Sequence, residues 1–383
     1  MKKICIVTMT STDGSTFAIN DINEISKHYN EVFLFPLKKD LIFKRKPIYN
    51  RNVKVIRKNV NKIDVKSDFF YLLITFFSIF KIILLSRDSW VEKIKQLILL
   101  PKSILISNYI NKLSPENVHL FWGHYPSLVI LGLNKNLNSK ISIFMGAYDL
   151  RKKLDISRIA ANKSEIIFTH VKKNINLIGK LIGNKNKIQC IYRGVKFDEF
   201  KNINLEDKKK LSFCTIGLLE KHKNINQIIR SFSVIKKRYK DATLTIIGHG
   251  SLENKLKKQV KNLNLIDSVS FTGWISRAQI SNILKLSQFY LHFSIIEALP
   301  NSIKEAMYSK CYCLSSNTFG IEEIIEDKKN GFIINPEDNK EMLKTIEFCL
   351  NSDTKSEILN NAQLKIIKNF DLAKNIKSFC DTI

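Results

Sequence analysis

Short apolar runs rich in β-branched residues alternate with helical patterns along the whole chain, and no other feature restricts the fold as much. A strand followed by an amphipathic helix returns to its sheet as a parallel neighbour, so the alternation implies an α/β class with parallel sheets. Strand candidates in the first series are Ile4 to Met9, Glu31 to Phe35, Val53 to Arg57, Val118 to Trp122, Ser142 to Met145, Ile166 to Thr169 and Ile188 to Ile191. A second series begins afresh with Ser212 to Gly217, Thr243 to Ile247, Val269 to Thr272, Phe289 to Phe293, Cys311 to Ser315 and Gly331 to Ile334. Between them, residues 196–210 (KFDEFKNINLEDKKK) are polar and charge-dense without strand alternation, as a linker is. A boundary near Asn202 gives two domains, 1–201 and 202–383, and 383 residues suffice for a core in each.

The chain opens with MKKICIVTMTSTDG, whose apolar run is too short for a signal-peptide core and reads as the first strand. Seven cysteines are scattered without metal-ligand spacing, which predicts buried small hydrophobes in a reducing compartment.

One stretch breaks the rhythm. Residues 69–85 (FFYLLITFFSIFKIILL) are apolar but for Lys81, and a second helical stretch runs on to residue 113. The length sits at the lower limit for a bilayer span, and Lys81 with Asp88, Lys93 and Lys95 argues against a full crossing. Trp90, Ile94, Leu97 and Ile98 fall on one helical face and Lys93, Lys95 and Lys102 on others, the pattern of an interfacial helix; an insertion packed on the domain core is the alternative. Charge bears on the choice. Lys and Arg total 62 against 35 Asp and Glu, a net +27, of which residues 1–200 hold +19 and residues 201–383 hold +8. With 52 Lys and only 10 Arg, and no aromatic and basic reader motif, the excess does not point to nucleic acid. Its concentration beside the apolar stretch points to an anionic membrane surface.

Residues 289–309 (FYLHFSIIEALPNSIKEAMYS) read as strand, tight loop and helix. Pro300 bars helix continuity from Glu297, and Asn301 suits the N-cap of a helix starting at Ser302. Free N–H groups at that helix start favour a diphosphate, and Glu297 and Glu305 could accept from sugar hydroxyls on either side. By spacing alone, an exposed helix residue and a loop carboxylate explain the two glutamates equally well.

Here the sequence resembles the family-4 glycosyltransferases, whose GT-B fold has two Rossmann-like domains with parallel sheets facing a cleft. EALPNSIKEAM is similar to the family's Glu-x7-Glu motif, with Ala298 where glycine is usual. GLLEKHKN at 217–224, LTIIGHGSLENKL at 244–256, VSFTGWIS at 269–276 and IEEIIEDKKNGFIINPED at 321–338 match further family segments in order. The resemblance implies that Glu297 binds donor-sugar hydroxyls, that Glu305 binds the ribose, and that Lys223 neutralises the diphosphate. Gly217 would let the backbone approach the phosphate, and Asn301 and Ser302 would offer it N–H groups. The family's arginine is replaced by Leu218, for which Lys221 or Arg193 could substitute; Lys310, Tyr312 and Phe319 also depart from the pattern.

The N-terminal half matches more loosely. Gly14, in the loop after the first strand, would lie between donor and acceptor. His124, in FWGHYPS, is the nearest substitute for a family histidine, although a lone histidine is more often structural. FMGAYDL places Asp149 at the cleft, and YRGVKFDEF carries Lys196 in place of an aspartate. His222 and His249 read as solvated loop residues. The last helix is expected to pack back on the N-terminal domain.

The reaction implied is glycosyl transfer from a nucleotide sugar to a saccharide, with retention. No Asp-x-Asp string occurs, so neither a metal nor a cofactor beyond the donor is expected. The acceptor is expected to be lipid-linked, at the cytoplasmic face of the plasma membrane in bacterial surface-polysaccharide synthesis. A GT-B sugar-nucleotide epimerase, a non-catalytic homologue and a nucleic-acid-binding protein are the alternatives.

Overall fold

Each of the thirteen expected strands is present, within three residues at its ends. The computed structural model describes residues 2–10, 16–38, 48–57, 65–200, 203–351 and 355–383. Gly14 and Asn202 lie outside the described residues. The chain divides into two units: residues 1–192 with 373–383, and residues 193–372.

The first unit runs β1 (Lys3–Thr8), α1 (Thr16–Ser26), β2 (Glu31–Pro36), β3 (Val53–Val55), α2 (Val65–Leu85), α3 (Trp90–Leu113), β4 (Asn117–Leu120) and α4 (Ser127–Leu131). It continues with β5 (Lys140–Phe144), α5 (Ala147–Lys152), α6 (Asp155–Lys163), β6 (Ile166–Thr169), α7 (Lys172–Ile182) and β7 (Ile188–Cys190). Its seven strands are parallel, in the order β3-β2-β1-β4-β5-β6-β7. The second unit runs β8 (Lys209–Ile216), α8 (Ile225–Arg238), β9 (Thr243–Ile247), α9 (Glu253–Asn262), β10 (Val269–Gly273), α10 (Arg277–Leu286) and β11 (Ser287–His292). After these come α11 (Asn301–Tyr308), β12 (Tyr312–Ser315), β13 (Phe332–Ile333), α12 (Asn339–Asn351) and α13 (Lys355–Asn369). Its sheet is also parallel, in the order β10-β9-β8-β11-β12-β13. The chain ends in α14 (Leu372–Thr382), of which Ala373 onward belongs to the first unit.

Both sheets reverse direction of growth once, between β1 and β4 and between β8 and β11. Helices leave opposite faces at such a point, so the loops at the carboxyl ends of those strands diverge and leave room for a ligand. Period-2 alternation builds the two cores of the first sheet. Cys5, Val7, Phe33 and Phe35 face one way, toward Ile79, Ile83, Leu100 and Ile104 of α2 and α3. Ile4, Ile6, Val32 and Leu34 face the other, toward Ile22 of α1 and Phe379 of α14, whose ring lies 4.8 Å from His119 and Phe168. In the second unit Phe213 and Phe289 of adjacent strands stack at 4.6 Å in the middle of the core. Every cysteine is free, and all but the half-buried Cys190 are buried.

The crossover from β3 to β4 is the helical pair α2 and α3. Ser89 caps α3, accepting from Glu92 N, and Asp68 ties the pair by accepting from Asn108 Nδ2 at 2.8 Å. Asp68–Leu85 is long and apolar enough to cross a bilayer by length and composition, yet one face of it packs on the sheet. The opposite face is exposed: Phe70 at 76%, Ile74 at 65% and, from α3, Trp90 at 74%. Three details of the expected interfacial pattern are corrected. Leu97 packs against the core, Lys93 is buried with its ammonium on the Leu84 carbonyl at 2.7 Å, and Lys102 donates to the Pro36 carbonyl at 2.6 Å. Buried carbonyl oxygens satisfy those two ammonium groups, leaving Lys95 as the exposed lysine of that set.

Candidate functional site

In the second unit the loops that follow β8 and β11 carry the two charges that matter most. Gly217 follows β8, and after it the chain makes a 3₁₀ turn, Lys221–Lys223, before Asn224 at φ 55° and the start of α8. That turn aims Lys223 across the switch point, where its Nζ lies 2.6 Å from both carboxylate oxygens of Glu297. Ser294 Oγ donates to Glu297 Oε2 at 3.1 Å, and His292 Nε2 lies 3.2 Å from the same oxygen. Burial pushes the Glu297 carboxyl up, but His292 and Lys223 together outweigh it and hold the group down at about 2. The two loops are also tied through their backbones, since Ile295 N donates to the His222 carbonyl at 2.8 Å.

A Cβ at Gly217 would meet the Lys223 stem at 3.4 Å, an ordinary van der Waals contact. The stricter demand falls on Gly248, which sequence reasoning did not single out. Its φ is 137°, and a Cβ there would lie 1.9 Å from the Gly217 carbonyl oxygen. Only glycine lets the β8 and β9 loops approach this closely.

The helix α11 begins one residue earlier than expected. Pro300, at φ −65° and ψ 130°, occupies the cap position, and Asn301 is the first helical residue rather than the cap. The proline ring fixes φ and its side chain has no acceptor, so no side chain caps the first turn. Asn301 and Ser302 are half-buried in that turn. Glu305 is buried one turn further on, and Arg277 Nη2 donates to its Oε1 at 2.8 Å. Burial raises the Glu305 carboxyl above its ordinary value, against the pull of Arg277.

Arg193 meets α11 through its backbone, its carbonyl accepting from the buried Lys304 Nζ at 2.7 Å. Leu218, in the arginine's place, is half exposed, and Lys221, His222 and His249 are exposed. Lys310, where glycine is usual, keeps the conformation glycine favours, with φ 55°.

In the first unit, the loop after β4 carries His124, and the loop after β5 leads into α5 with Asp149. The structure brings the two loops together: Asp149 Cγ lies 3.3 Å from where a Gly123 side chain would begin. Asp149 is fully buried; its Oδ2 accepts from Gly146 N at 2.8 Å, which caps its own helix, while Oδ1 has no hydrogen-bond partner. Burial dominates and pushes its carboxyl up to about 7. His124 Nδ1 is likewise buried and unpartnered, its ring 5.1 Å from Tyr148, and burial lowers the imidazole to about 4. Glu92 of α3, a further residue the sequence did not signal, accepts from Tyr125 Oη and lies 2.8 Å from Lys152 Nζ. Burial pushes its carboxyl up, but those partners hold it down at about 2.

Residues 196–366 match the family model described as glycosyl transferases group 1. An uncharacterized glycosyltransferase of Methanocaldococcus jannaschii is 28% identical over 260 residues, covering 64% of this chain and 63% of that protein. UDP-Gal:alpha-D-GlcNAc-diphosphoundecaprenol alpha-1,3-galactosyltransferase of Escherichia coli is 26% identical over 231 residues, 57% of this chain and 59% of its own. The chain thus spans under two thirds of either relative's length. Among solved structures, HepE of Anabaena in complex with UDP superposes at TM-score 0.73 and 14% identity, covering 100% of this chain and 99% of that one. That likeness gives the fold, GT-B.

Proposed function

We propose, from the match of residues 196–366 to the glycosyl transferases group 1 model, that the chain transfers a sugar from a nucleotide-diphosphate donor to a saccharide acceptor, with retention. The observation that supports it is the Lys223–Glu297 pair beside the uncapped first turn of α11. An ammonium and a set of free N–H groups suit a departing diphosphate, with neither a metal nor a cofactor besides the donor in that role. Lys223 turns from Glu297 toward the β-phosphate as the donor enters, beside Gly217. Glu297, held ionised, then accepts from sugar hydroxyls and stabilises positive charge developing at the anomeric carbon. Glu305 takes the ribose hydroxyls, and Asn301 and Ser302 supply the N–H groups. Arg193 is assigned to the phosphate end. His124 and Asp149, with Gly14, belong to the acceptor side.

The acceptor we propose is a lipid-linked saccharide in bacterial surface-polysaccharide synthesis, met at the cytoplasmic face of an anionic membrane. Support comes from the exposed apolar face of α2 and α3, the +19 carried by residues 1–200, and the undecaprenol-linked substrate in the name of the Escherichia coli relative. A panel of nucleotide sugars, assayed for transfer and for donor hydrolysis, tests the reaction: one donor should be consumed, and Glu297→Ala should abolish its consumption. Undiminished transfer by Glu297→Ala sinks the role of that residue, and epimerised rather than transferred sugar sinks the reaction class. Failure of vesicles containing anionic lipid to retain the protein at low salt removes the membrane and favours a soluble acceptor.

A further inference from the structure

Glu305 is paired by an arginine that is itself shared. Arg277 opens α10, positioned by the Ser276–Gln279 capping box, and its guanidinium donates in two directions. Nη2 reaches Glu305 Oε1 at 2.8 Å, and Nε reaches Glu199 Oε2 at 2.8 Å. The guanidinium carbon lies 5.4 Å over the Phe200 ring. Three segments far apart in sequence, at 199, 277 and 305, thus converge on one planar cation. Lys304 stands beside Glu305 on α11, but its Nζ donates to the Arg193 carbonyl. One guanidinium therefore serves two carboxylates, and what it gives one it withholds from the other.

We propose that Arg277 is the positioning residue for the nucleotide end of the site, holding Glu305 ionised and in one orientation for a ribose diol, and that Glu199 limits this by competing for the same guanidinium. The inference rests on the reading of Glu305 as the ribose-binding carboxylate. A ribose diol presents two O–H donors, and an ionised carboxylate offers acceptors on both oxygens, whereas a protonated one gives up part of that capacity to its own O–H. Arginine suits the position because its fork meets two carboxylates at once in fixed geometry, which a lysine ammonium does not. The charged groups facing Glu305 are Arg277 and Lys304, which pull its carboxyl down, and Glu199, which pushes it up, all against a background of burial. Removing Arg277 or Glu199 must therefore shift the titration of Glu305 in opposite senses.

The test is calorimetric binding of UDP, GDP and ADP to the full chain between pH 5 and 8, continued with whichever binds most tightly. Wild-type affinity should fall on the acid side as Glu305 takes a proton. Arg277→Met should weaken binding about tenfold at pH 7 and move the midpoint of that fall up by about one pH unit. Glu199→Gln should move it down by about half a unit and tighten binding at pH 5. Arg277→Lys should fall between wild type and Arg277→Met. Glu305→Gln serves as the reference and should weaken binding, leaving only the acid-side fall that protonation of the nucleotide's own terminal phosphate produces. If Glu305→Gln weakens binding while neither Arg277→Met nor Glu199→Gln moves the profile, the inference is overturned and the role of Glu305 stands. If Glu305→Gln binds like wild type, or if none of the three nucleotides binds, the reading beneath it is overturned as well. Should Arg277→Met fail to fold, the downward shift in Glu199→Gln decides alone, and its absence overturns the proposal.

Discussion

The two units repeat one topology but treat their polar groups in opposite ways. In the second, the carboxylates at the switch point have cations against them: Glu297 against Lys223, and Glu305 against Arg277. In the first, the loop after β4 holds His124 and the helix after β5 holds Asp149, each buried with one polar atom unpartnered. The consequence appears in their ionisation, with Glu297 held down at about 2 and Asp149 pushed up to about 7, while His124 is lowered to about 4. At neutral pH Glu297 of the second unit is ionised. In the first, burial favours the uncharged forms of both the His124 imidazole and the Asp149 carboxyl.

Replacing Lys223 with Ala is the largest way to break that contrast, because it would leave Glu297 as a half-buried carboxylate without its ammonium. Transfer should fall by about 10²–10³-fold, as when one donor to developing charge is removed from a preorganised site. Loss of the ammonium also raises the Glu297 carboxyl, so the acid limb of the rate profile should move upward in pH. A saturating-donor rate within a factor of three of wild type would show that the pair is structural only.

Glycines separate the units next. Gly248→Ala forces a side chain into φ 137° and to within 1.9 Å of a backbone carbonyl, where nothing flexible can yield. The expected loss is about 3 kcal/mol or more, read by denaturant unfolding. In the first unit Gly183, at φ 76°, has nothing within 4 Å of a new Cβ, so Gly183→Ala should cost only about 1 kcal/mol for the left-handed backbone. Equal losses would mean that the β8–β9 loop contact relaxes freely.

A pH series sharpens the contrast further. Asp149 has a carboxyl raised in the folded state to about 7, so the native chain binds more protons than the unfolded one between about pH 4 and 7. Its contribution to stability is therefore lost as pH rises through that window. His124, lowered to about 4, binds its proton more readily when unfolded, so its contribution improves from about pH 4 to 6.5. Relative to wild type, Asp149→Asn should gain stability with rising pH and His124→Asn should lose it, each by up to about 3–4 kcal/mol across its window. Slopes of the same sign would show that one group finds a partner on protonation.

What the sequence made legible follows the same division between local and distant. The existence of the strands and their places along the chain were readable because period-2 alternation is a local rule. Glu297, Glu305 and Lys223 were singled out through the family resemblance, since spacing alone left the two glutamates open; the structure sets Lys223 against Glu297 and Arg277 against a buried Glu305. Arg277, Glu199, His292 and Glu92 were not singled out, because each acquires its partner only when the sheet closes. Glu92 shows the reason most clearly: as a glutamate in a lysine-rich helix it looks solvated, yet its burial is set by Tyr125 and Lys152, 33 and 60 residues away. Asn301 was misplaced by one residue because a good capping side chain cannot compete with a proline already locked in the extended conformation before it.

The smallest expected effect concerns α2, where the contrast lies within one helix. Both faces are apolar, so composition cannot say which one the fold requires. Ile79 is 1% exposed against the sheet, whereas Phe70 and Ile74 are 76% and 65% exposed. Ile79→Ala should cost about 3 kcal/mol through lost burial and the cavity left behind. Phe70→Ser and Ile74→Ser remove area that is already in water, and their unfolding free energies should stay within about 0.5 kcal/mol of wild type. Those same two substitutions should reduce retention on anionic vesicles, a readout to which core packing is indifferent. A large stability loss in Phe70→Ser would mean that folding itself needs the outer face covered. Unchanged stability with unchanged vesicle retention would mean that the face meets neither the core nor a bilayer.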